Sequence, residues 1–239
     1  MKICIDPGHN DASEPGAVGP TGLKEADCTL AIAKLVAANL EKAGVAVLLT
    51  RAAEQNLSLR ERCRKANEAA ADYFVSIHIN SAANPAATGT ETYCFARGTT
   101  GEQLAQAIQA GLVAALQLPD RGVKTANFQV LRETVMPAVL TEVCFICNPA
   151  EEALLRQVSF QEKAAAGIAG GVCQYLAQIA PALDQWSADQ ATIQAHCQFD
   201  DPAGVWQAIK HHPYTAAVYQ KWAASYRQDE NNDYNKEEE

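Results

Sequence analysis

Apolar runs and amphipathic stretches alternate along this chain in a strand–helix–strand rhythm. Ile3, Cys4 and Ile5 form a short apolar run of strand type, and the turn residues Asp6-Pro7-Gly8 end it abruptly, so His9 stands just past a strand's C-terminal end. Residues Asn10 to Gly22 are rich in Gly, Pro, Ser and Asp, which predicts a loop. From Lys24 the apolar residues Leu30, Ile32, Ala33, Leu35, Val36 and Leu40 recur at helical spacing until Gly44 stops the run. Val45 to Leu49 is a continuous apolar run of the kind buried on both faces of a parallel sheet, which completes a βαβ unit.

The rhythm then repeats. Ser58 to Ala71 predicts a charged amphipathic helix, and Tyr73 to Ile77 a strand that delivers His78 at its C-terminal end. Gly89 to Phe95 alternates like a strand, Gly101 to Leu116 is helical, and Val130-Leu131 reads as a short extended piece. Ala138 to Thr141 predicts a strand delivering Glu142, and Glu151 to Ile179 covers one or two further helices. The pattern predicts an α/β fold over residues 1–180: a single three-layer domain with a mostly parallel twisted sheet flanked by helices. In such sheets, sites form at the strand ends.

Pro181 begins a change of character. Residues 181–228 lack strand patterning, while Trp186, Trp206, Tyr214, Tyr219 and Trp222 sit at helix-compatible spacing, interrupted at Asp201-Pro202 and His212-Pro213. This predicts a small helical C-terminal extension that packs on the main domain or on a partner, with self-association as one use of it. Residues 229–239 read as an acidic disordered tail. The tail carries an excess of five negative charges out of a net −9, so the rest of the chain is only mildly acidic. No Lys/Arg-dense face stands out, which argues against nucleic acid as a partner. No apolar run reaches spanning length and the chain opens directly on a strand, so neither membrane insertion nor a signal peptide is expected.

Eight cysteines, Cys4, Cys28, Cys63, Cys94, Cys144, Cys147, Cys173 and Cys197, are scattered through apolar stretches of a chain too long to need a disulfide scaffold. Free buried thiols in a reducing cytoplasm are the expectation. The Cys144-x-x-Cys147 spacing does not open a helix in the manner of a thioredoxin-like motif, and no second pair exists to build a structural zinc site. His196, His211 and His212 read as surface residues, since neighbouring helix positions point in different directions.

His9, Glu25 and His78 are the ligand types of a catalytic zinc site, with two imidazoles, one carboxylate and a fourth position left for water. Glu25 at the start of a helix also suits the helix dipole without any metal. Mixed N/O ligation favours zinc over magnesium or calcium and leaves manganese and iron open. Glu142, a carboxylate on an apolar strand, is costly to bury unpaired. Beside a metal it would take a proton from the attacking water and hand it to a departing amine, which points to amide hydrolysis.

These residues fall in segments that resemble the zinc-dependent N-acetylmuramoyl-L-alanine amidases of the amidase-3 type. The matching segments are IDPGHN at Ile5–Asn10, GLKEADCTLAIA around Glu25, LTR at Leu49–Arg51, SLRERCRKANEAAADYFVSIHINS at Ser58–Ser81, GTETY at Gly89–Tyr93 and ANFQVLRETVMPAVLTEVCFICNPAEE at Ala126–Glu152. The resemblance implies that His9, Glu25 and His78 bind one zinc ion per chain and that Glu142 is the catalytic base. It implies peptidoglycan as substrate, cut at the amide between N-acetylmuramic acid and L-alanine. It further implies substrate-binding roles for Asn80, Asn127 and Arg132. Where the family usually reads Gly-Phe-Ile-Ser-Asn after the catalytic Glu-x pair, this chain has Cys144-Phe145-Ile146-Cys147-Asn148. Some cell-division members insert a helix after the second His that blocks the metal, and the Asn80–Thr88 connection is too short for one. An open cleft, as in phage endolysins, is therefore expected. The rival functions are a zinc peptidase cutting within the stem peptide, a non-catalytic wall-binding module, and a thiol oxidoreductase using Cys144 and Cys147.

Overall fold

Residues 1–10 and 13–196 are described by the computed structural model, with side chains as far as residue 180. The apolar run at Ile3–Ile5 becomes strand β1 (Lys2–Pro7), and helix α1 (Glu25–Lys42) leads into β2 (Ala46–Leu49). Gly44, just past α1, takes the left-handed φ of 79° that ends the helix. Helix α2 (Leu59–Glu68) opens on a capping box in which Ser58 and Glu61 satisfy each other's backbone donors, and it leads to β3 (Tyr73–Asn80). After β4 (Thr90–Cys94) come α3 (Thr100–Leu116), β5 (Asp120–Thr125), the single turn α4 (Gln129–Arg132) and β6 (Ala138–Phe145). Asn148 caps α5 (Pro149–Leu155), and α6 (Val158–His196) closes the described chain.

The six strands form one sheet in the order β2-β1-β3-β6-β4-β5. All pairings are parallel except β4 against β6. Cys4, Phe74, Ala138 and Leu140 point to one face, where they pack with Cys63 and Ala66 of α2 and Val130 and Leu131 of α4. Ile3, Ile5, Val75, Ile77 and Val139 alternate to the opposite face and are fully buried, as are Ile32 and Val36 of α1, Ile108 of α3 and Ile168 of α6. Burying each such side chain contributes roughly 1.5–3 kcal/mol, which makes this two-sided core the main source of stability.

Several expectations need correction. β2 is an edge strand paired only with β1 and is half-exposed, so its apolar run marks one covered face rather than two. Val130-Leu131 is a helical turn, with both side chains buried against α2. β5 went unread because Asp120-Arg121-Gly122-Val123-Lys124-Thr125 is polar, as suits the opposite edge of the sheet. His78 and Glu142 lie inside strands that run on to Asn80 and Phe145, not past their ends.

The chain divides into two compact units, Met1–Tyr175 and Leu176–Glu239. Helix α6 runs through Pro181, where the sequence pattern predicts a break. One proline removes one helical hydrogen bond, and the alanines on either side are strong helix formers. The remainder of the expected extension and the acidic tail, with His211, His212, Trp206, Trp222 and any self-association through them, lies outside the described residues. No described helix is long and apolar enough to cross a membrane.

Candidate metal centre and active site

The site is built around the turn that follows β1. His9 adopts a φ of 60°, a left-handed conformation uncommon for a residue with a side chain. Three consecutive carbonyls hold it there by accepting from two buried arginines. Arg51 donates to Pro7 O at 3.1 Å and Gly8 O at 2.8 Å, and Arg62 donates to Pro7 O at 2.6 Å and His9 O at 2.7 Å. Arg62 is in turn paired with the buried Asp6 at 2.8 Å, which also accepts from Thr50 Oγ1 at 2.5 Å and Ser76 Oγ at 2.8 Å. A buried ion pair persists when its remaining lone pairs are satisfied, and Asp6 meets that condition. Sequence reasoning passed over Asp6, Arg51 and Arg62. The available signal was Arg62 four residues before Ala66, a charge inside the apolar stripe of α2.

Glu25 arrives from the first turn of α1, which is set by Glu25 N donating to Ala17 O at 2.9 Å. Its carboxylate accepts from Ala17 N and Ile79 N, each at 2.9 Å, and is almost fully buried. The loop before it is pinned by Glu152 of α5, which accepts from Thr21 N at 3.0 Å and Leu23 N at 3.2 Å. His78 comes from β3. Its Nδ1 lies 3.0 Å from Glu25 Oε1, while His9 Nε2 lies 3.2 Å from Glu25 Oε2. The two imidazoles meet edge to face with centroids 4.9 Å apart. A Cβ at Gly8 would collide with the His78 ring, and one at Gly16 would stand 2.6 Å from Glu25 Oε2, so both approaches require glycine.

One ligand atom from each of His9, Glu25 and His78 falls within 4.8 Å of the others, so the three could hold a metal ion. Ligands at zinc distances of about 2.0–2.1 Å in a tetrahedron stand about 3.3 Å apart, close to the two histidine–glutamate separations. The electrostatics agree with such a donor set. Burial opposes the charge on Glu25, yet hydrogen bonds from His78 and His9 outweigh it and hold the carboxyl well below its usual range. His78 is raised: burial works against its charge, and the bond to Glu25 with the charge of Glu142 overcomes it.

Glu142 stands opposite His78 in the β3–β6 register, and Glu91 of β4 stands opposite Glu142 on the other side. By the pleat, Asp6, His78, Glu142 and Glu91 share the face of Cys4, Phe74, Leu140 and Tyr93, so they form a polar row continuing the apolar floor under α2 and α4. Glu142 Oε2 is sealed from solvent and has no hydrogen-bond partner. Burial, with the charges of Glu25 and Glu91 added and that of His78 opposing, pushes its pKa up to about 7.

The other predicted residues lie at different positions. Asn80 donates to Glu91 Oε1 at 2.8 Å. Arg132, the last residue of α4, donates to Asn127 Oδ1 at 2.7 Å, and neither has a hydrogen bond to the histidine–glutamate cluster among the described residues. The seven described cysteines are unpaired. Cys144 is fully buried with its thiol pKa raised well above normal by that burial, which removes the basis for thiol redox chemistry there. The β3–β4 connection, residues 81–89, contains no helix.

The N-acetylmuramoyl-L-alanine amidase family matches residues 3–174. The chain belongs to this family. Among its amidase relatives, the sporulation-specific N-acetylmuramoyl-L-alanine amidase of Bacillus subtilis (strain 168) is 42% identical over 73% of this chain and 68% of its own length. The endolysin of Bacillus phage SPP1 is also 42% identical, over 73% of this chain and 65% of its own. The match to the amidase LytC of B. subtilis, at 41% identity, spans only 35% of that protein. Among solved structures, the catalytic domain of the amidase CwlV from Bacillus (Paenibacillus) polymyxa var. colistinus superposes with a TM-score of 0.70. That comparison is at 39% identity, over 74% of this chain and 98% of the other.

Proposed function

We propose that this chain is a zinc-dependent N-acetylmuramoyl-L-alanine amidase that cuts the amide between N-acetylmuramic acid and the L-alanine of peptidoglycan. The observation that carries the reading is the convergence of His9, Glu25 and His78, with Glu142, whose buried Oε2 has no hydrogen-bond partner, in register with His78. His9 Nε2, Glu25 and His78 Nδ1 would hold one zinc per chain. When bound, zinc would supply Lewis-acid chemistry, polarising the scissile carbonyl and acidifying a neighbouring water.

Glu142 then acts in two directions. Its carboxylate takes a proton from the attacking water as the water oxygen bonds to the carbonyl carbon, and returns that proton to the alanine nitrogen as the C–N bond breaks. A pKa near 7 suits a group that must accept and release one proton at neutral pH. Asp6, Arg51, Arg62 and Glu152 only position; they hold the turn and loop that carry His9 and Glu25.

The site of action would be the bacterial cell wall, and the helix-free β3–β4 connection supports a cleft open without an activator. The 42% identity to a phage endolysin and to a sporulation-specific amidase supports a role in opening that wall. Digestion of purified peptidoglycan followed by mass analysis tests the bond cut. The account predicts peptides with a new N-terminal alanine and intact lactyl-bearing sugars, lost with Glu142→Ala while the metal stays bound. Fragments cut inside the stem peptide would replace it with the peptidase reading; wall binding without cleavage would replace it with a binding module.

A further inference from the structure

We propose that Arg121 and Lys124 form an anion subsite beside Glu142 that receives a carboxylate of the stem peptide. The proposal rests on the amidase reading above and assigns the β4–β5 side of the site to the peptide arm of the substrate.

Glu91 organises this subsite. It is buried next to Glu142, and its carboxylate is fully engaged: Oε1 accepts from Asn80 Nδ2 at 2.8 Å and Tyr93 OH at 2.6 Å, and Oε2 from Arg121 Nε at 2.8 Å and Lys124 Nζ at 2.5 Å. One carboxylate therefore gathers two cations, whose side chains are 39% and 38% exposed, and leaves a surplus positive charge at the edge of the polar row. Both heads are also braced on rings, Arg121 at 4.8 Å over Phe145 and Lys124 at 5.9 Å over Tyr93. Each keeps donors to spare. The ammonium of Lys124 gives one of its N–H groups to Glu91, and Arg121 gives Nε to Glu91 and Nη1 to Thr88 O at 3.3 Å, which leaves Nη2 without a hydrogen bond among the described residues. Lysine on an edge strand also guards against strand pairing, but that role calls for side chains aimed at solvent. These two instead converge on the acid that neighbours Glu142.

The spacing fits a peptide. Register partners across an antiparallel pair stand about 5 Å apart and a charge-assisted hydrogen bond adds about 3 Å, which puts the cations on the order of 8 Å from the Glu142 carboxylate. An extended chain advances about 3.5 Å per residue, so a carboxylate two residues from the scissile carbonyl falls at about that distance. In a stem peptide that residue is glutamate linked through its side chain, with an α-carboxyl that is free or amidated. On the sugar side of the scissile amide the neighbouring groups carry no charge.

The test uses the full zinc-loaded chain and two N-acetylmuramoyl tripeptides that differ only in whether that α-carboxyl is free or amidated. The free acid is expected to give a kcat/KM about tenfold higher, mainly through KM, as suits one charge-assisted hydrogen bond. Lys124→Gln and Arg121→Gln should each pull the ratio toward one, and Lys124→Arg should retain it. Competition by the product peptides on the wild-type protein needs no variant: the acid product must inhibit more strongly than its amide. Equal turnover of the two substrates, or a ratio the variants leave unmoved, overturns the subsite alone. Failure to cut either substrate with metal bound overturns the amidase reading beneath it.

Discussion

At the scale of single residues, the geometry of the cluster depends on side chains that lie outside it. His9 keeps its left-handed backbone because guanidinium groups bond the carbonyls of Pro7, Gly8 and His9. Arg62→Ala would leave Asp6 buried without its partner and His9 O without its donor. Breaking a buried pair in this way costs about 3–5 kcal/mol. The loss should appear as a lower urea midpoint, and metal affinity should fall roughly 10–100-fold, as for other supports of a ligand. A stable variant with unchanged metal affinity would mean that the turn holds itself. His9, Glu25 and His78, which the fold brings together, stood out in the sequence as two imidazoles and a carboxylate in or beside apolar elements, as did Glu142 on its apolar strand. Asp6, Arg51 and Arg62 did not, since only the folded backbone reveals which carbonyls need donors.

At the scale of elements, the strand–helix rhythm was readable wherever packing enforces a period. β1, α1, β3, β4, α3 and β6 each carry a face or a run that the core demands, and their positions followed from it. Besides the exposed face of β2 and the run of α6 through Pro181, the elements missed or misread were the edge strand β5 and the single turn α4, which are governed by neighbours far along the chain rather than by their own pattern. The loop ahead of α1 depends on such a neighbour as well, because Glu152 on α5 anchors Thr21 and Leu23. Glu152→Ala should free that loop, giving faster proteolytic nicking between residues 13 and 24 and a weaker metal site, with the rest of the fold intact. Nicking at the wild-type rate would show that other contacts suffice.

At the scale of the whole molecule, one face of the sheet changes from an apolar floor under α2 and α4 to a row of ionisable groups, so the fold and the site share the same strands. That arrangement makes stability depend on acid. Burial disfavours charge on Glu91 and Glu152, but their hydrogen bonds prevail and hold both carboxyls below the ordinary value of 4.5. Their contribution is therefore complete above about pH 4.5 and is lost as pH falls through the lower folded values. Urea midpoints of the metal-free protein should decline below about pH 4.5, and Glu91→Gln should flatten part of that decline. Identical pH profiles for the two proteins would remove Glu91 from the account.

The most direct test of the central claim is to titrate zinc into chelator-stripped protein while following the release of N-terminal alanine from a muramoyl peptide. The account predicts no turnover without metal and full turnover at about one zinc per chain, the stoichiometry of a single site with two histidines and one carboxylate. Full hydrolysis by protein shown to be free of metal would contradict it.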